Sequence, residues 1–282
     1  MTPEPGRGVA QPAPHTGGAD ATARRGSEAT TDPPSVVRSA RSWLGFLTGF
    51  AVLAGVLFGT SAWDATGRFG VAILAAVLST ALIVERIRHR SSVAAVLRRV
   101  GLGRPGGRAL AVAAAVSGLV LLVFPATAIV SGTAVQLRPD WPWLLIGVFA
   151  FHGVAEELVW RGFAFRRLRE GRSFWAATAW TMPLIAVTHI SIAVTVSPAV
   201  GLGAMAVAAV TSLPLAYLYE TGRCTIWAPA MVHTAIDTFK LVVIPAAALP
   251  TFSLLIIVGS LTIPLLALVV PRDILTDSRS RP

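Results

Sequence analysis

Eight long apolar runs constrain the fold of this chain more than any other feature of its sequence. They span roughly residues 43–63, 69–84, 109–135, 141–165, 174–196, 199–219, 226–245 and 250–270. A helix needs about 20 apolar residues to cross the hydrocarbon core of a bilayer. The runs are continuous rather than alternating, so helices, not barrel strands, satisfy their backbone hydrogen bonds. The sequence therefore predicts an all-α fold, a polytopic membrane helix bundle of about eight transmembrane helices.

The composition agrees with a bilayer environment and excludes several other classes of protein. Apolar residues make up 54% of the chain and charged residues 13%, about half the charged share of soluble domains. The net charge of +10 comes almost entirely from arginines in tails and loops, which indicates membrane orientation and no nucleic-acid partner. The single cysteine, Cys224, excludes an internal disulfide and a metal site made of cysteines alone. Membrane lipid is the expected surrounding partner.

The arginine clusters predict an orientation in the membrane. They occur in the N-terminal tail, in 86–108, in 161–172, near Arg223 and at the C-terminus. In an eight-helix arrangement these clusters share one side, which the positive-inside bias makes cytoplasmic. We therefore expect an integral membrane protein with both termini in the cytoplasm. The preference for arginine over lysine indicates a GC-rich genome and favours a bacterial plasma membrane.

Four segments follow from these patterns. Residues 1–42 have almost no large apolar side chains and are expected to form a disordered cytoplasmic tail. Residues 43–140 are expected to hold the N-terminal transmembrane helices and a basic interfacial linker at 86–108. Residues 141–245 contain most of the ionisable groups found inside apolar runs, and 246–282 hold the last transmembrane helix and a short basic cytoplasmic tail.

Ionisable residues inside the apolar runs are the candidates for function. An ionisable group in hydrocarbon costs at least about 2.5–3.5 kcal/mol, so each one needs a partner or a task. The group consists of His152, Glu156, Glu157, Arg161, His189, His233, Asp237 and Lys240. Lys240 is expected near the outer end of its helix, where a lysine can extend its ammonium group to the membrane surface, so we leave it out of the site.

Helical spacing sorts three pairs of these residues. His152 and Glu156 are four residues apart and share one helix face. Glu157 and Arg161 are also four apart, which predicts an intrahelical ion pair and leaves Glu156 free for chemistry. His233 and Asp237 have the same spacing on the seventh run, where the carboxylate is expected to fix the tautomer of the imidazole.

The depth of these groups can be compared from the helix rise. If Gly171 marks a turn, Glu156 and His189 both lie about 22–27 Å from it, and with a turn near Gly222 the pair on the seventh run lies about 16–22 Å deep. One acid and several histidines thus converge in one intramembrane layer. Such a set suits hydrolysis, with a water held between Glu156 and His189 and an oxyanion stabilised by a donor such as His233.

These residues also carry a resemblance to the CAAX protease and bacteriocin-processing (CPBP or Abi) family of intramembrane proteases, which includes the prenyl-protein endopeptidase of the endoplasmic reticulum. The family pattern is EExxxR, then FxxxH, then HxxxN or HxxxD. Glu156 to Arg161 match the first element, His189 fits the second, and His233 to Asp237, preceded by TIWAPAMV, match the third. The chain has Ile185 where the family usually has an aromatic residue. The resemblance covers residues 141–245.

The resemblance implies an intramembrane endopeptidase that acts on a peptide or membrane-protein substrate. It implies that Glu156 and His189 activate the water, that His233 and Asp237 shape the oxyanion site, and that Glu157 and Arg161 support them. No metal is assigned, and the cofactor stays open between zinc and none; if a metal is used, the candidate ligands are Glu156, His189, His233 and His152. Two alternatives also stay open: a proton-coupled transporter and a family member that binds without catalysis, such as an immunity protein.

Overall fold

The computed structural model of the chain describes residues 40–62, 64 and 67–275. Among these residues, seven helices are long and apolar enough to cross a membrane. They cover Ser42–Thr60, Gly70–His89, Gly107–Ser131, Trp141–Arg169, Phe174–Thr195, Pro198–Thr221 and Ala246–Val269. The predicted all-α polytopic membrane bundle is therefore confirmed. Residues 1–39 of the predicted disordered tail lie outside the described residues. The part of the predicted basic tail that follows residue 275 also lies outside them.

In the N-terminal half of the bundle the described residues form five helices. They are α1 (Ala40–Ser61), α2 (Gly70–His89), α3 (Val93–Arg99), α4 (Gly107–Leu121) and α5 (Val123–Ser131). The run at 109–135 is divided between α4 and α5 near Leu122, three residues before Pro125, which has no N–H group to continue the helix ladder. Within the linker at 86–108, α3 is a seven-residue helix whose Val96 is buried.

The helix α2 is longer than the sequence predicted. Its apolar run ends near residue 84, and the charges that follow indicated the end of the span. In the structure the helix continues to His89, and Glu85 within it is fully buried and ion-paired from another helix. Arg166 Nη2 lies 3.2 Å and Arg167 Nη2 2.5 Å from Glu85 Oε1. These contacts supply the partner that a buried carboxylate requires.

One helix, Trp141–Arg169, lies at the centre of the bundle, and we call it the central helix. In its 18-residue apolar stretch, 72% of the residues are buried inside the protein, compared with 22–33% for the six other candidate spans. It begins as α6 (Trp141–Val148), becomes π-helical over Phe149–Ala155 and Leu158–Phe165, and ends as α7 (Arg166–Arg169). Helices α1 and α2 pack on one side of it and α11 on another.

The C-terminal half completes the bundle around the central helix. Its helices are α8 (Phe174–Thr188), α9 (Ile190–Thr195), α10 (Pro198–Thr221), α11 (Trp227–Asp237), α12 (Leu249–Thr262) and α13 (Arg272–Leu275). Short 3₁₀ segments lie at Thr238–Leu241, Ala246–Ala248 and Ile263–Val269. The turn between the central helix and α8 contains Gly171 at φ 68°, as the sequence predicted.

The apolar run at 226–245 does not form the eighth long helix that the sequence predicted. Its helix, α11, ends at Asp237 after 11 residues, and a 3₁₀ turn leads into the strand β2 (Val242–Val243). This strand pairs antiparallel with β1 (Gln136–Leu137), with Gln136 opposite Val243. The pairing joins residues that are far apart in the sequence, so the hydropathy of the run could not predict it. It ties the end of α11 to the start of the central helix.

A polar contact fixes the same end of the central helix from the other side. Arg68 Nη2 donates to Asp140 Oδ2 at 2.5 Å, and Arg138 Nε donates to Asp140 Oδ1 at 3.2 Å. The hydrogen bond from Arg68 and the positive charge of Arg138 hold the pKa of Asp140 below its usual range. The segment before α2 and the segment before α6 are thus joined at the point where the central helix begins.

Candidate active site

Two adjacent carboxylates lie in the middle of the central helix, between its two π-helical stretches. The backbone N–H of Glu156 donates to the carbonyl of Phe151, five residues earlier, so the helix is wider here than an α-helix. Such local widening occurs mostly at functional sites. Both carboxylates are buried, with exposed fractions of 9% for Glu156 and 0% for Glu157, yet their environments differ.

Glu156 is held by a histidine on its own helix. The two residues share a helix face, as their four-residue spacing predicted, and His152 Nδ1 lies 2.7 Å from Glu156 Oε1. The other oxygen, Oε2, faces His233 on α11, with 3.6 Å between Oε2 and His233 Nε2. This second distance is too long for a direct hydrogen bond. Glu156 therefore has one oxygen fixed and one oxygen turned toward the neighbouring helix.

Glu157 is the acceptor of two short contacts. Arg161 Nη1 donates to Glu157 Oε1 at 2.7 Å, which confirms the predicted intrahelical ion pair. His233 Nδ1 lies 2.7 Å from the same oxygen. Because a carboxylate can only accept, the proton of this bond belongs to the imidazole. Glu157 therefore joins the central helix to α11 and also neutralises a buried arginine.

The partner that fixes the His233 tautomer is thus Glu157, whereas the sequence predicted Asp237. The four-residue spacing does bring Asp237 close, with its Oδ2 3.4 Å from His233 Nε2, but this contact is longer than the one to Glu157. The difference arises because the close approach of α11 to the central helix is tertiary, and spacing within one helix contains no information about it. His233 Nε2 is left facing two carboxylates, those of Glu156 and Asp237.

A glycine allows α11 to come this close. A side chain at Gly153 would collide with Thr234 Oγ1 and would lie 3.1 Å from the Ala230 carbonyl oxygen, both on α11. Thr234 is itself bonded to that carbonyl, at 2.7 Å, so it has little freedom to move aside. The absence of a side chain at Gly153, one residue after His152, is what lets the two helices present their polar groups to one another.

His189 lies at the break between α8 and α9, with φ −90° and ψ 0°. Its Nδ1 is 2.9 Å from the Ile185 carbonyl oxygen. A carbonyl only accepts, so Nδ1 carries the proton and Nε2 keeps its lone pair. His189 is near enough to Glu156 to interact with its charge, although in the described part of the chain no hydrogen bond or ion pair within 4.0 Å joins the two side chains.

The structure adds one residue that the sequence interpretation left out. Lys240 is half-buried, and its Nζ lies 2.5 Å from His152 Nε2 and 5.9 Å from the centre of the Phe151 ring. The 3₁₀ turn after Asp237 directs it back over the site. The position of this turn depends on the β1–β2 pairing, which the sequence pattern does not indicate. The one sequence signal for Lys240 is that it is the single lysine of the chain.

The candidate ligands do not present a zinc site in this arrangement. A catalytic zinc usually takes three protein ligands and one water. Within 40–62, 64 and 67–275, no group of three or more His, Cys, Asp or Glu side chains could hold a metal ion. Both nitrogens of His152 and the Nδ1 of His233 are engaged by Glu156, Lys240 and Glu157, which removes donors that such a site would need.

The comparison with known proteins agrees with the motifs. Residues 138–239 match the model of the Rce1-like family, described as type II CAAX prenyl endopeptidase Rce1-like. This segment is about a third of the chain and contains the six residues of the three motifs. No curated protein and no solved structure matches the chain. The chain is an integral membrane protein, and its residues 138–239 are similar to the Rce1-like, type II CAAX prenyl endopeptidase family, which confirms the CPBP resemblance.

Proposed function

We propose that the chain is an intramembrane endopeptidase in which Glu156 and His189 activate a water molecule that attacks a peptide bond at or within the bilayer. The observation that carries this proposal is the asymmetry of the Glu156 carboxylate. Oε1 is fixed by His152 at 2.7 Å, while Oε2 faces His233 Nε2 across 3.6 Å. The family match supports a peptidase.

In this proposal Glu156 is the general base. Its free oxygen takes a proton from the water, the oxygen of the water attacks the scissile carbonyl, and Glu156 later returns the proton to the departing amine. A positioned general base typically contributes about 10²–10⁴-fold to rate. The fixed Oε1 reduces the number of carboxylate orientations and favours the one that reaches the water.

His189 would hold the same water from the other side. Because its Nδ1 donates to the Ile185 carbonyl, its Nε2 is available to accept a hydrogen bond from the water. The break between α8 and α9 gives this residue a position that an uninterrupted helix would not provide. We infer that His189 orients the water while Glu156 removes the proton.

His233 would stabilise the negative charge that develops on the scissile oxygen, with Asp237 beside it. For this role Nε2 must carry a proton in addition to the one on Nδ1, so the ring is an imidazolium, and the two carboxylates that face Nε2, 3.4 and 3.6 Å away, favour that form. Removal of a single oxyanion donor costs about 10²–10³-fold in kcat in serine proteases. Glu157 and Arg161 support the ring from behind through the bond to Nδ1.

Reconstitution of the full chain in lipid vesicles tests this function. Three probes are informative: a fluorogenic peptide with an apolar membrane segment, a farnesylated CAAX peptide, and the same CAAX peptide without lipid. We expect Glu156→Gln and His189→Ala each to lose at least about 100-fold of the cleavage rate. The control Glu170→Gln removes an exposed carboxylate just after the C-terminal end of the central helix. It should keep full activity.

Other outcomes separate the alternatives. If cleavage survives Glu156→Gln or His189→Ala, the proposed activation of water is wrong. If the wild type cleaves none of the probes but dissipates a proton gradient across the vesicle, the polar groups form a transport relay. If it does neither and retains peptide binding, the chain acts by binding alone.

A further inference from the structure

Lys240 and His152 form a contact that none of the three motifs contains. Lys240 Nζ lies 2.5 Å from His152 Nε2, and His152 Nδ1 lies 2.7 Å from Glu156 Oε1. The three side chains thus make a continuous chain from the 3₁₀ turn after α11 to the carboxylate of the central helix. Lys240 lies one residue beyond the family match, which ends at 239.

The chemistry of the three groups fixes the direction of both bonds. A lysine ammonium has three donors and no acceptor, so His152 Nε2 must be the acceptor of the first bond. A neutral imidazole that accepts at Nε2 carries its proton on Nδ1, which then donates to the carboxylate of Glu156. Lys240 therefore favours the same His152 tautomer that the Glu156 carboxylate requires, and it holds the ring from the opposite side.

The conformation of Lys240 is not the one expected of a lysine near a helix end. Such a side chain normally extends its charged group toward water. Here the backbone N–H of Arg138 donates to the Leu241 carbonyl at 2.9 Å, and the β1–β2 pairing fixes the residues that follow. The ammonium is also near the face of Phe151, whose ring lies 4.0 Å from that of His152. Local structure thus directs Lys240 inward.

The charges of the site give a second, independent reason for a cation here. Glu156, Glu157 and Asp237 bring three carboxylates into a region removed from water. Arg161 is bound to Glu157, and Lys240 supplies a further permanent positive charge on the side of Glu156. Buried charges of one sign are costly unless they are balanced.

We propose that Lys240 and His152 are positioning residues that hold Glu156 in the orientation needed to activate water. The inference rests on the proposed peptidase function, since Glu156 has to be the base for its orientation to matter. Lys240 acts through His152 and touches neither water nor substrate. The conservative change Lys240→Arg should therefore keep most of the activity, whereas the uncharged Lys240→Met should not.

Steady-state cleavage by the full chain in vesicles gives the first test. We expect Lys240→Met to lower kcat on the order of 10- to 100-fold, as misplacement of a catalytic group does, with KM changed less than about twofold. Phe239→Leu changes an exposed neighbour on the same turn and should leave both constants unchanged. Adding Lys240→Met to His152→Leu should cause no further loss, because the lysine acts through the histidine.

Nitrogen-15 NMR of the histidine rings gives a second test that needs no activity. The chain has five histidines, and the signal of His152 is identified by its loss in His152→Asn. We expect a proton on Nδ1 and a lone pair on Nε2 in the wild type and in Lys240→Arg, and a changed Nε2 chemical shift in Lys240→Met, where the ammonium donor to that lone pair is lost. A wild type with its proton on Nε2 would overturn the inference.

The outcomes distinguish failure of the inference from failure of the function. If the wild type cleaves peptides and Lys240→Met has the same kcat, only the positioning role is wrong. If the wild type cleaves none of the probes, the proposed function fails and the positioning role fails with it, even where NMR finds the expected tautomer.

Discussion

Glu157 and His233 are joined across two helices by a bond of 2.7 Å between Oε1 and Nδ1. The same oxygen accepts from Arg161, and Oε2 of Glu157 is buried without a hydrogen-bond partner among the described residues. One carboxylate oxygen therefore connects the first and third motifs, and the other is shielded from solvent, which supports a structural role for Glu157 beside the catalytic one proposed for Glu156.

This bond leads to a prediction about stability. Removing one member of a buried ion pair leaves an uncompensated charge and typically costs about 3–5 kcal/mol. We expect Glu157→Gln and Arg161→Met each to lower the unfolding midpoint of the detergent-solubilised chain clearly. The double variant Glu157→Gln/Arg161→Met should be more stable than either single one. Strictly additive losses in the thermal unfolding curves would contradict the pairing.

The close packing at Gly153 leads to a prediction about helix position. Gly153→Ala places a methyl group against Thr234 and Ala230 and should cost about 1–3 kcal/mol, as overpacking does, while pushing α11 away from Glu156. The matched control is Gly118→Ala in α4, where a side chain would meet no atom within 4 Å and where alanine favours the helix by about 0.5–1 kcal/mol. Thermal unfolding and cleavage rate should both fall for the first variant only.

The buried carboxylate of Glu85 provides a second stability test, at the arginine-rich end of the bundle. Glu85→Gln leaves Arg166 and Arg167 without their buried partner and should cost about 3–5 kcal/mol. Glu170, whose side chain is 49% exposed, also pairs with Arg166, and Glu170→Gln should cost about 0–1 kcal/mol. Equal unfolding midpoints for the two variants would show that burial of Glu85 does not matter.

The donor geometry predicts the response to metal removal. Because the described side chains do not present three zinc ligands, we expect cleavage to survive exhaustive chelation, and elemental analysis to find no stoichiometric zinc. Loss of activity on chelation, with recovery on adding zinc alone, would mean that His152, His189 or His233 rearranges to bind a metal.

The single cysteine makes the orientation testable without any engineered label. Cys224 is exposed and lies between α10 and α11, at the end of the bundle where the arginines cluster. If that end is cytoplasmic, as the positive-inside bias predicts, a membrane-impermeant maleimide should label Cys224 in inverted vesicles and not in intact cells. Gln136→Cys in a Cys224→Ser background lies at the other end and should show the reverse pattern.

The parts of the site that lie within one helix were predictable from sequence. The shared face of His152 and Glu156 and the ion pair of Glu157 with Arg161 follow from residues four apart, and in each pair the two side chains approach to 2.7 Å. This spacing placed the side chains correctly even though the helix is π-helical on both sides of the two carboxylates. The all-α membrane bundle was predictable for a similar reason, since hydropathy is a local property.

The parts that depend on contacts between helices were not predictable. Glu157 replaces Asp237 as the partner of His233 because Gly153 lets α11 approach the central helix. Lys240 turns inward because β1 and β2 pair over a separation of about a hundred residues along the chain. Neither arrangement produces a periodic pattern in the sequence. The catalytic roles assigned to Glu156, His189, His233 and Asp237 stay predictions.

The π-helical stretches on both sides of Glu156 and Glu157 also bear on how such a chain can vary in evolution. Each residue of an α-helix turns the chain by about 100°, so gaining or losing one residue in either stretch would rotate one end of the central helix against the other. His152 would then point away from Glu156, or Arg161 would point away from Glu157. Related sequences should accordingly differ in side chains along this helix while preserving its length residue for residue.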